Sequence, residues 1–220
     1  MSTILLETQF FPPVEYLSQC VKADKVVIEA HEHFQKGSYR NRCHIAGANG
    51  LQTLNVPLKR NKESRYIKDI QIAYDVDWQR QQWRSLQTAY GSAPFWDFYA
   101  PVFERFFTER FDFLLDYNVE ILTTIFKLLK IDKTVTICLS TSYEDIFTEG
   151  VDFRQTIHPK IQSDFKATPY SQLFNDRYDF MPNLSVLDVL FCCGNEITFN
   201  FRAYCLTEIG PLSKNGFISR

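Results

Sequence analysis

ILLETQFFPPVEYLSQCVKADKVVIE, residues 4–29, carries the clearest secondary-structure signals in the chain. The segment from Ile4 to Thr8 is mostly apolar and predicts a buried strand. Pro12 and Pro13 predict the start of a helix, because proline is tolerated in a helix's first turn. Lys25–Glu29 is rich in β-branched residues and predicts a second strand. A strand, a helix and a strand in succession form a βαβ unit, so the two strands are expected to be parallel.

A β-hairpin and a further strand are predicted next. Arg42–Ala46 and Leu51–Leu58 are strand-like and flank Gly47-Ala48-Asn49-Gly50. Asn-Gly between two such runs is a strong hairpin signal, because both residues tolerate positive φ. Tyr66–Ala73 alternates apolar and polar residues, as a half-buried strand does. We expect these elements to join the first two strands in a mixed sheet.

The C-terminal half is predicted to be largely helical. Apolar residues recur at helical spacing after Asp77, after Ala93-Pro94 and between Asp112 and Lys130, and Asp77 is a candidate helix cap. No linker divides the chain, so the predicted fold is α/β in a single domain over residues 1–220. The remaining predicted elements are strands at Thr134–Leu139 and Ile197–Phe201 and a helix within Asn183–Gly194.

The composition is that of a globular protein. Hydrophobic residues make up 45% of the 220 residues and charged residues 23%, which excludes a wholly disordered chain. The formal net charge of −2 provides no broad electrostatic surface for nucleic acid. No run of about 18 apolar residues is present for a membrane span, and the N-terminal residues show no signal-peptide pattern. With six cysteines and no CxxC spacing, these features predict a cytoplasmic protein with reduced thiols.

The most concentrated polar segment runs from His31 to Arg42 and directly follows the second predicted strand. Ligands of open α/β sheets bind at the carboxyl ends of parallel strands, so this loop is expected to form a binding site. Arg40 and Arg42 offer forked donors for a phosphate or carboxylate, and Asn41 offers an amide. The alternative interpretation of the arginines is a solvated charged loop. Glycine-rich nucleotide motifs, GxSxG and HExxH are all missing from the sequence.

His31 and His33 are candidates for general acid or base chemistry, because imidazole titrates near neutral pH. Their spacing also suits a metal, but no third ligand is evident and we predict no metal site. Gln9 precedes the first helix, where it is placed to touch an anionic ligand. Surface or hydrogen-bonding roles for the histidines, and a turn role for Gln9, are the alternatives. Asp188 is predicted to cap a helix with Ser185 rather than to serve as a buried carboxylate.

Polar and aromatic motifs occur in a recognisable order along most of the chain: Gln9–Pro12, Tyr39–Arg42, Leu54–Pro57, Trp83, Ala89-Tyr90, Ala93–Phe95, Pro169–Phe174 and Pro182–Phe191. In this order and spacing they resemble the WbqC-like protein family. The resemblance implies a component of a bacterial O-antigen or surface-polysaccharide gene cluster, with glycine or similar amino-acyl transfer to a sugar as the expected activity. Some polar residues within the matching motifs are hard to explain as core residues. We take them as candidate substrate-binding residues: Gln9, Arg40, Asn41, Arg42 and Tyr170.

Three functions are consistent with these features. The first is a transferase acting on a sugar or sugar nucleotide in surface-polysaccharide (O-antigen) biosynthesis, with His31 or His33 as the base. The second is a nucleotidyltransferase-like enzyme, although Pro13–Tyr16 replaces its His-x-Gly-His motif. The third is a non-enzymatic binding or scaffold protein that presents rings such as Trp96 and Phe98. The expected partner is a small molecule, no cofactor is identified, and a homo-oligomer is left open.

Overall fold

The computed structural model describes residues 1–60 and 64–194. Within these ranges, strands and helices alternate first and helices dominate afterwards. Three short 3₁₀ turns cover Tyr39–Asn41, Ile67–Asp69 and Arg105–Phe107. In chain order the elements are β1 (Thr3–Glu7), α1 (Val14–Cys20), β2 (Lys25–Glu29), β3 (Arg42–Gly47), β4 (Gly50–Asn55), α2 (Trp78–Tyr90), α3 (Trp96–Glu104), α4 (Leu114–Leu128), β5 (Thr136–Leu139), β6 (Val151–Asp152) and α5 (Val186–Cys193).

The main sheet is parallel and has the strand order β5-β2-β1-β6. Ile4 and Leu6 of β1 lie opposite Val26 and Ile28 of β2, and all four side chains belong to the core. The predicted βαβ unit is therefore confirmed. Because all four strands run in the same direction, the loops that follow them meet at one edge of the sheet, which we call the carboxyl edge.

The predicted hairpin is confirmed and forms a sheet of its own. β3 and β4 pair antiparallel, with Arg42 opposite Asn55 and Gly47 opposite Gly50. Gly50 has a φ of +95°, whereas Asn49 keeps a negative φ, so glycine alone supplies the left-handed residue of this turn. The α/β class is confirmed, and its parallel and antiparallel strands lie in two sheets rather than in one mixed sheet.

The strand predicted over residues 66–73 is wrong. Ile67, Ile70 and Ile72 are buried as the alternation indicated, but the segment contains a 3₁₀ turn and only isolated bridges. Its backbone bonds go to loops: the Ile67 N–H donates to the Glu32 carbonyl, and the Ile72 N–H donates to the Asp112 carbonyl. The alternation therefore indicates burial, whereas the described residues around the segment pair with it only through isolated bridges.

The helical half packs around an aromatic core. Phe10 and Phe11, in the loop after β1, are fully buried, and Phe11 packs edge-on against Phe103 at 5.6 Å between ring centroids. Asp77 occupies the N-cap position of α2 as predicted, but its side chain makes no cap bond. β5 is a half-exposed edge strand rather than a buried one, and the predicted strand at Ile197–Phe201 lies outside the described residues. Across the described part of the chain, no helix is long and apolar enough to cross a membrane.

Candidate functional site at the carboxyl edge of the sheet

Two buried glutamates end the central strands. Glu7 of β1 lies opposite Glu29 of β2, and each is 1% exposed. Glu7 accepts hydrogen bonds from Gln9 Nε2 at 3.0 Å and from the Gln155 N–H at 2.9 Å. Glu29 accepts from the His31 N–H at 2.8 Å and from Arg154 Nη1 at 3.1 Å. These two carboxylates therefore fasten the loops of the carboxyl edge to the ends of the strands.

A second buried pair lies in the 31–42 loop. Arg40 is fully buried, and its Nε donates to Glu32 Oε1 at 2.7 Å while Nη2 donates to Oε2. Burial raises the pKa of the Glu32 carboxyl, and the hydrogen bond from Arg40 opposes that rise. Arg40 Nη1 is buried and has no hydrogen-bond partner among the described residues. Arg40 is thus not a solvated loop residue, and one nitrogen of its guanidinium has no acceptor among the described residues.

Arg40, Arg42, His158 and Lys160 form what we call the cationic cluster. Burial and the charges of Arg40, Lys160 and Arg42 lower the pKa of His158. The Phe10 N–H donates to the Tyr39 carbonyl at 2.9 Å, which joins the loop after β1 to the start of the Arg40 segment. Arg42 Nε is buried and, within the described ranges, has no partner. Gln9 lies beside the cluster, because its Nε2 donates to the Ile157 carbonyl at 3.1 Å. The structure therefore brings Gln9, Arg40 and Arg42 together.

A cleft of about 430 Å³, which we call the edge cleft, opens next to this cluster. It is lined by residues 31–35 together with Tyr66, Tyr143, Arg154 and Gln155. Glu32 belongs both to its lining and to the pair with Arg40, so the cleft and the cationic cluster share one wall. His31 and His33 thus line the edge cleft, while Arg40 lies behind Glu32.

The two histidines differ in their surroundings. Lys68 Nζ lies 3.5 Å from His31 Nδ1. His33 stacks on Tyr66 at 4.6 Å, and neither of its ring nitrogens is bonded to a described residue. His31 is therefore in contact with a lysine ammonium, whereas His33 is held by stacking on a tyrosine ring.

Arg154 is a site residue that the sequence did not reveal. Its side chain is 6% exposed and ion-paired with Glu29 and Asp152. The Glu29 partner is 125 residues away in the chain, so no local spacing indicates the pair. His158 and Lys160, by contrast, are separated only by Pro159. This short basic segment is a sequence pattern that could have indicated a binding site.

Asn41 and Tyr170 lie elsewhere. Asn41 Nδ2 donates to Asn55 Oδ1 at 3.0 Å and to the Val56 carbonyl at 2.9 Å, which joins the start of β3 to the end of β4. Its Oδ1 is buried without a partner in the described part of the chain. Tyr170 donates to Asp188 Oδ2 at 2.5 Å and belongs to a separate cluster on α5.

The cap role predicted for Asp188 is wrong. Asp188 is fully buried and accepts hydrogen bonds from the hydroxyls of Tyr90 and Tyr170 and from Gln172 Nε2. Burial raises the pKa of this carboxyl, and the three hydrogen bonds oppose that rise. Ser185 alone caps α5, accepting from the Leu187 N–H. Spacing could not distinguish the two roles, because the donors come from distant parts of the chain.

A metal centre is not indicated by the described residues. No group of three or more histidine, cysteine, aspartate or glutamate side chains is arranged there to hold an ion. The buried glutamates of the carboxyl edge are instead engaged by arginine and amide donors. Arginine and amide donors recognise acceptor oxygens, so the arrangement suits an anionic ligand.

The chain matches no curated protein sequence and no solved structure. The sequence profile of the WbqC-like protein family, however, matches residues 8–151. This range contains Gln9, the loop from His31 to Arg42, the hairpin and helices α2 to α4. Tyr170 and α5 lie beyond it. Because the match spans well over half of the 220 residues, the chain belongs to the WbqC-like protein family.

Proposed function

We propose that this protein is a transferase that acts on a sugar or sugar nucleotide in bacterial surface-polysaccharide (O-antigen) biosynthesis. Three features support the proposal: the polar cluster lies where open α/β sheets bind ligands, cationic donors there have no partner among the described residues, and imidazoles line the edge cleft. The polysaccharide context is what membership of the family implies. The reaction class is inferred from the chemistry of the site.

One observation carries the proposal. Arg40 Nη1 and Arg42 Nε are buried donors without partners among the described residues, and the two arginines stand two residues apart in the chain. Buried hydrogen-bond donors in folded proteins nearly always have an acceptor. Guanidinium donors match the oxygens of a phosphate or carboxylate. The phosphates of a sugar nucleotide would supply such acceptors.

The remaining groups have roles in transfer. His33 removes the proton of the attacking hydroxyl or amine, a contribution on the order of 10²–10⁴ in rate. The attacking atom bonds to the transferred group while the bond to the leaving phosphate oxygen breaks, and that oxygen takes the electron pair. Arg40 and Arg42 stabilise the charge on the phosphate. Gln9 Oε1, buried without a described partner, accepts a hydrogen bond from the acceptor substrate. Asn41 and Tyr170, which lie elsewhere, have no role in this step.

The test is a thermal-shift screen followed by a matched pair of variants. Nucleotide sugars, acyl-CoA thioesters, amino acids and nucleoside triphosphates are compared. A ligand at 100 times its dissociation constant stabilises by about 2.7 kcal/mol. Arg42→Ala should weaken binding of the best nucleotide sugar at least tenfold without lowering stability much. Arg80→Ala removes an exposed arginine of α2 and should bind as the wild type does.

Other outcomes lead to different conclusions. Unfolding of Arg42→Ala would make this arginine structural. Binding of a nucleoside triphosphate with release of pyrophosphate would identify a nucleotidyltransferase-like enzyme instead. No shift with any ligand, together with a dimer in solution, would favour a binding or scaffold protein and overturn the proposal.

A further inference from the structure

The edge cleft has aromatic walls for which the transfer reaction gives no role. The rings of His33 and Tyr66 stack with an interplanar angle of 20°. Tyr143 lies against the guanidinium of Arg154, whose Cζ is 4.9 Å from the ring centroid. Tyr66 and Tyr143 are 43% and 48% exposed although both line the cleft. The cleft therefore presents planar ring surface to a ligand.

The positive charge of Arg154 is already balanced. Its Nη1 donates to Glu29 at 3.1 Å, and its Nη2 donates to Asp152 at 2.7 Å. Arg154 therefore supports the Tyr143 ring and is not a free counter-charge. An anionic group finds its donors in the cationic cluster, while the cleft offers a nearly neutral surface.

Two carboxamides complete the lining. The side chains of Gln35 and Gln155 make no hydrogen bond to a described residue, so their donors and acceptors are available. Gln155 has a φ of +65°, held in place by its N–H, which donates to Glu7 Oε2 at 2.9 Å. A non-glycine residue held at positive φ stores strain, and such residues cluster at ligand sites. Carboxamides pair with the donor and acceptor edges of nucleobases.

We infer that the edge cleft binds the base of a nucleotide, with the base against the rings of Tyr143 and Tyr66 and its edge bonded by Gln35 and Gln155. The inference rests on the proposed function, since it names the nucleotide part of the same substrate. Every nucleobase has a π face, and stacking on aromatic side chains is the common way to hold an unpaired base. The cleft volume of about 430 Å³ lies within the range of small-molecule sites.

The test compares parts of one ligand. ADP, CDP, GDP, UDP and dTDP are titrated calorimetrically, and the tightest binder is then compared with its own nucleoside and with inorganic pyrophosphate. Tyr143→Ala should weaken the diphosphate and the nucleoside at least tenfold and leave pyrophosphate unchanged. Tyr143→Phe keeps the ring and should bind within about twofold of the wild type. Saturation transfer in NMR should be strongest at the protons of the base.

The results that would overturn the base site differ from those that would overturn the transferase proposal. The inference is overturned if no diphosphate binds, if Tyr143→Ala binds normally, or if it weakens pyrophosphate by the same factor. Nucleotide sugars that receive saturation only at their hexose protons would overturn the base site and leave the transferase proposal standing. Binding of a nucleoside in the cleft, with no transfer from any sugar nucleotide, would support the base site and overturn the transferase proposal. Arg42→Ala should weaken the diphosphate and pyrophosphate and leave the nucleoside unchanged.

Discussion

Arg40 and Glu32 form an ion pair that solvent barely reaches, since their side chains are 0% and 5% exposed. Such a pair is costly to desolvate, and its two hydrogen bonds offset much of that cost. Removing one partner leaves the other charge buried and alone. Arg105 is also ion-paired, with two glutamates, but its pairs are exposed to solvent, since its side chain is 43% exposed.

Arg40→Met is expected to lower the free energy of unfolding by about 3–5 kcal/mol, because the buried Glu32 loses its counter-charge. The loss should shrink as pH falls toward 4.5, the ordinary pKa of glutamate, because burial already raises the pKa of Glu32 and the unpaired carboxyl takes up a proton. Urea denaturation at several pH values measures both effects.

Two variants control this measurement. Arg105→Met breaks exposed pairs and should cost no more than about 1 kcal/mol. Adding Glu32→Gln to Arg40→Met removes the unpaired charge and should recover part of the loss at neutral pH. A loss for Arg40→Met no larger than that for Arg105→Met would contradict a buried pair.

The placement of single residues was predictable only in part. Gln9, His31 and Arg40 follow the first two strands closely, so the rule for parallel sheets located them at the carboxyl edge. Their partners were not predictable. Glu32 neutralises Arg40 eight residues away, and Arg154 reaches Glu29 across 125 residues. Neither spacing corresponds to a helix or strand period, so the sequence contains no sign of these pairs.

At the scale of elements, the N-terminus of helix α1 is capped by a side chain near the C-terminal end of the described residues. Its N-cap residue is Pro13, which has no capping side chain. Asn183 supplies the bonds: its Oδ1 accepts from the Glu15 N–H at 2.9 Å, and its Nδ2 donates to Glu15 Oε2 at 2.8 Å. Asn183 has a φ of +59°, a conformation that asparagine tolerates better than most residues.

Substitutions at Asn183 should separate the cap from the backbone strain. Asn183→Gly removes the side-chain bonds and still permits the positive φ, so it is expected to cost about 1 kcal/mol. Asn183→Ala removes the same bonds and also forces a Cβ into a positive φ, which adds about 1 kcal/mol or more. Thermal and urea unfolding measure the difference.

Asn49→Ala is the matched control for these variants. Asn49 is exposed in the hairpin turn and has a negative φ, so the change should stay within about 0.5 kcal/mol. Equal losses for Asn183→Gly and Asn183→Ala would show that the positive φ carries no cost.

Elements with a complete local pattern were predicted well, and those defined by distant partners were not. β2 was predicted at its observed bounds, Lys25–Glu29, because five β-branched or flanking charged residues define it. β6 is a two-residue strand that exists only because it pairs with β1, so it was missed. The 66–73 segment has the pattern of a strand, but loops rather than strands adjoin it.

At the scale of the whole molecule, contacts of long sequence separation close the structure. Val151 of β6 pairs with Ile4 of β1, and the Ser185 hydroxyl donates to the Phe11 carbonyl across 174 residues. Helices α3 and α5 also meet, through the rings of Phe103 and Phe191. Because the two halves share these contacts, we expect residues 1–220 to behave as a single domain.

Cooperative unfolding would test that expectation. Tryptophan fluorescence reports on α2 and α3, which carry Trp78, Trp83 and Trp96, whereas far-UV circular dichroism reports on all elements. The two signals should give coincident urea transitions. Separated midpoints would show that the N-terminal sheet and the helical half unfold independently.

The long separation between Phe11 and its partner Ser185 affects how the chain is made. The loop after β1 leaves the ribosome early, but the residues that hold it are translated among the last of the described chain. During synthesis the loop can pack against α3 and α4 before the bond from Ser185 that completes its fixation is available. A polypeptide truncated before residue 183 is expected to be bound by chaperones and degraded rather than to fold.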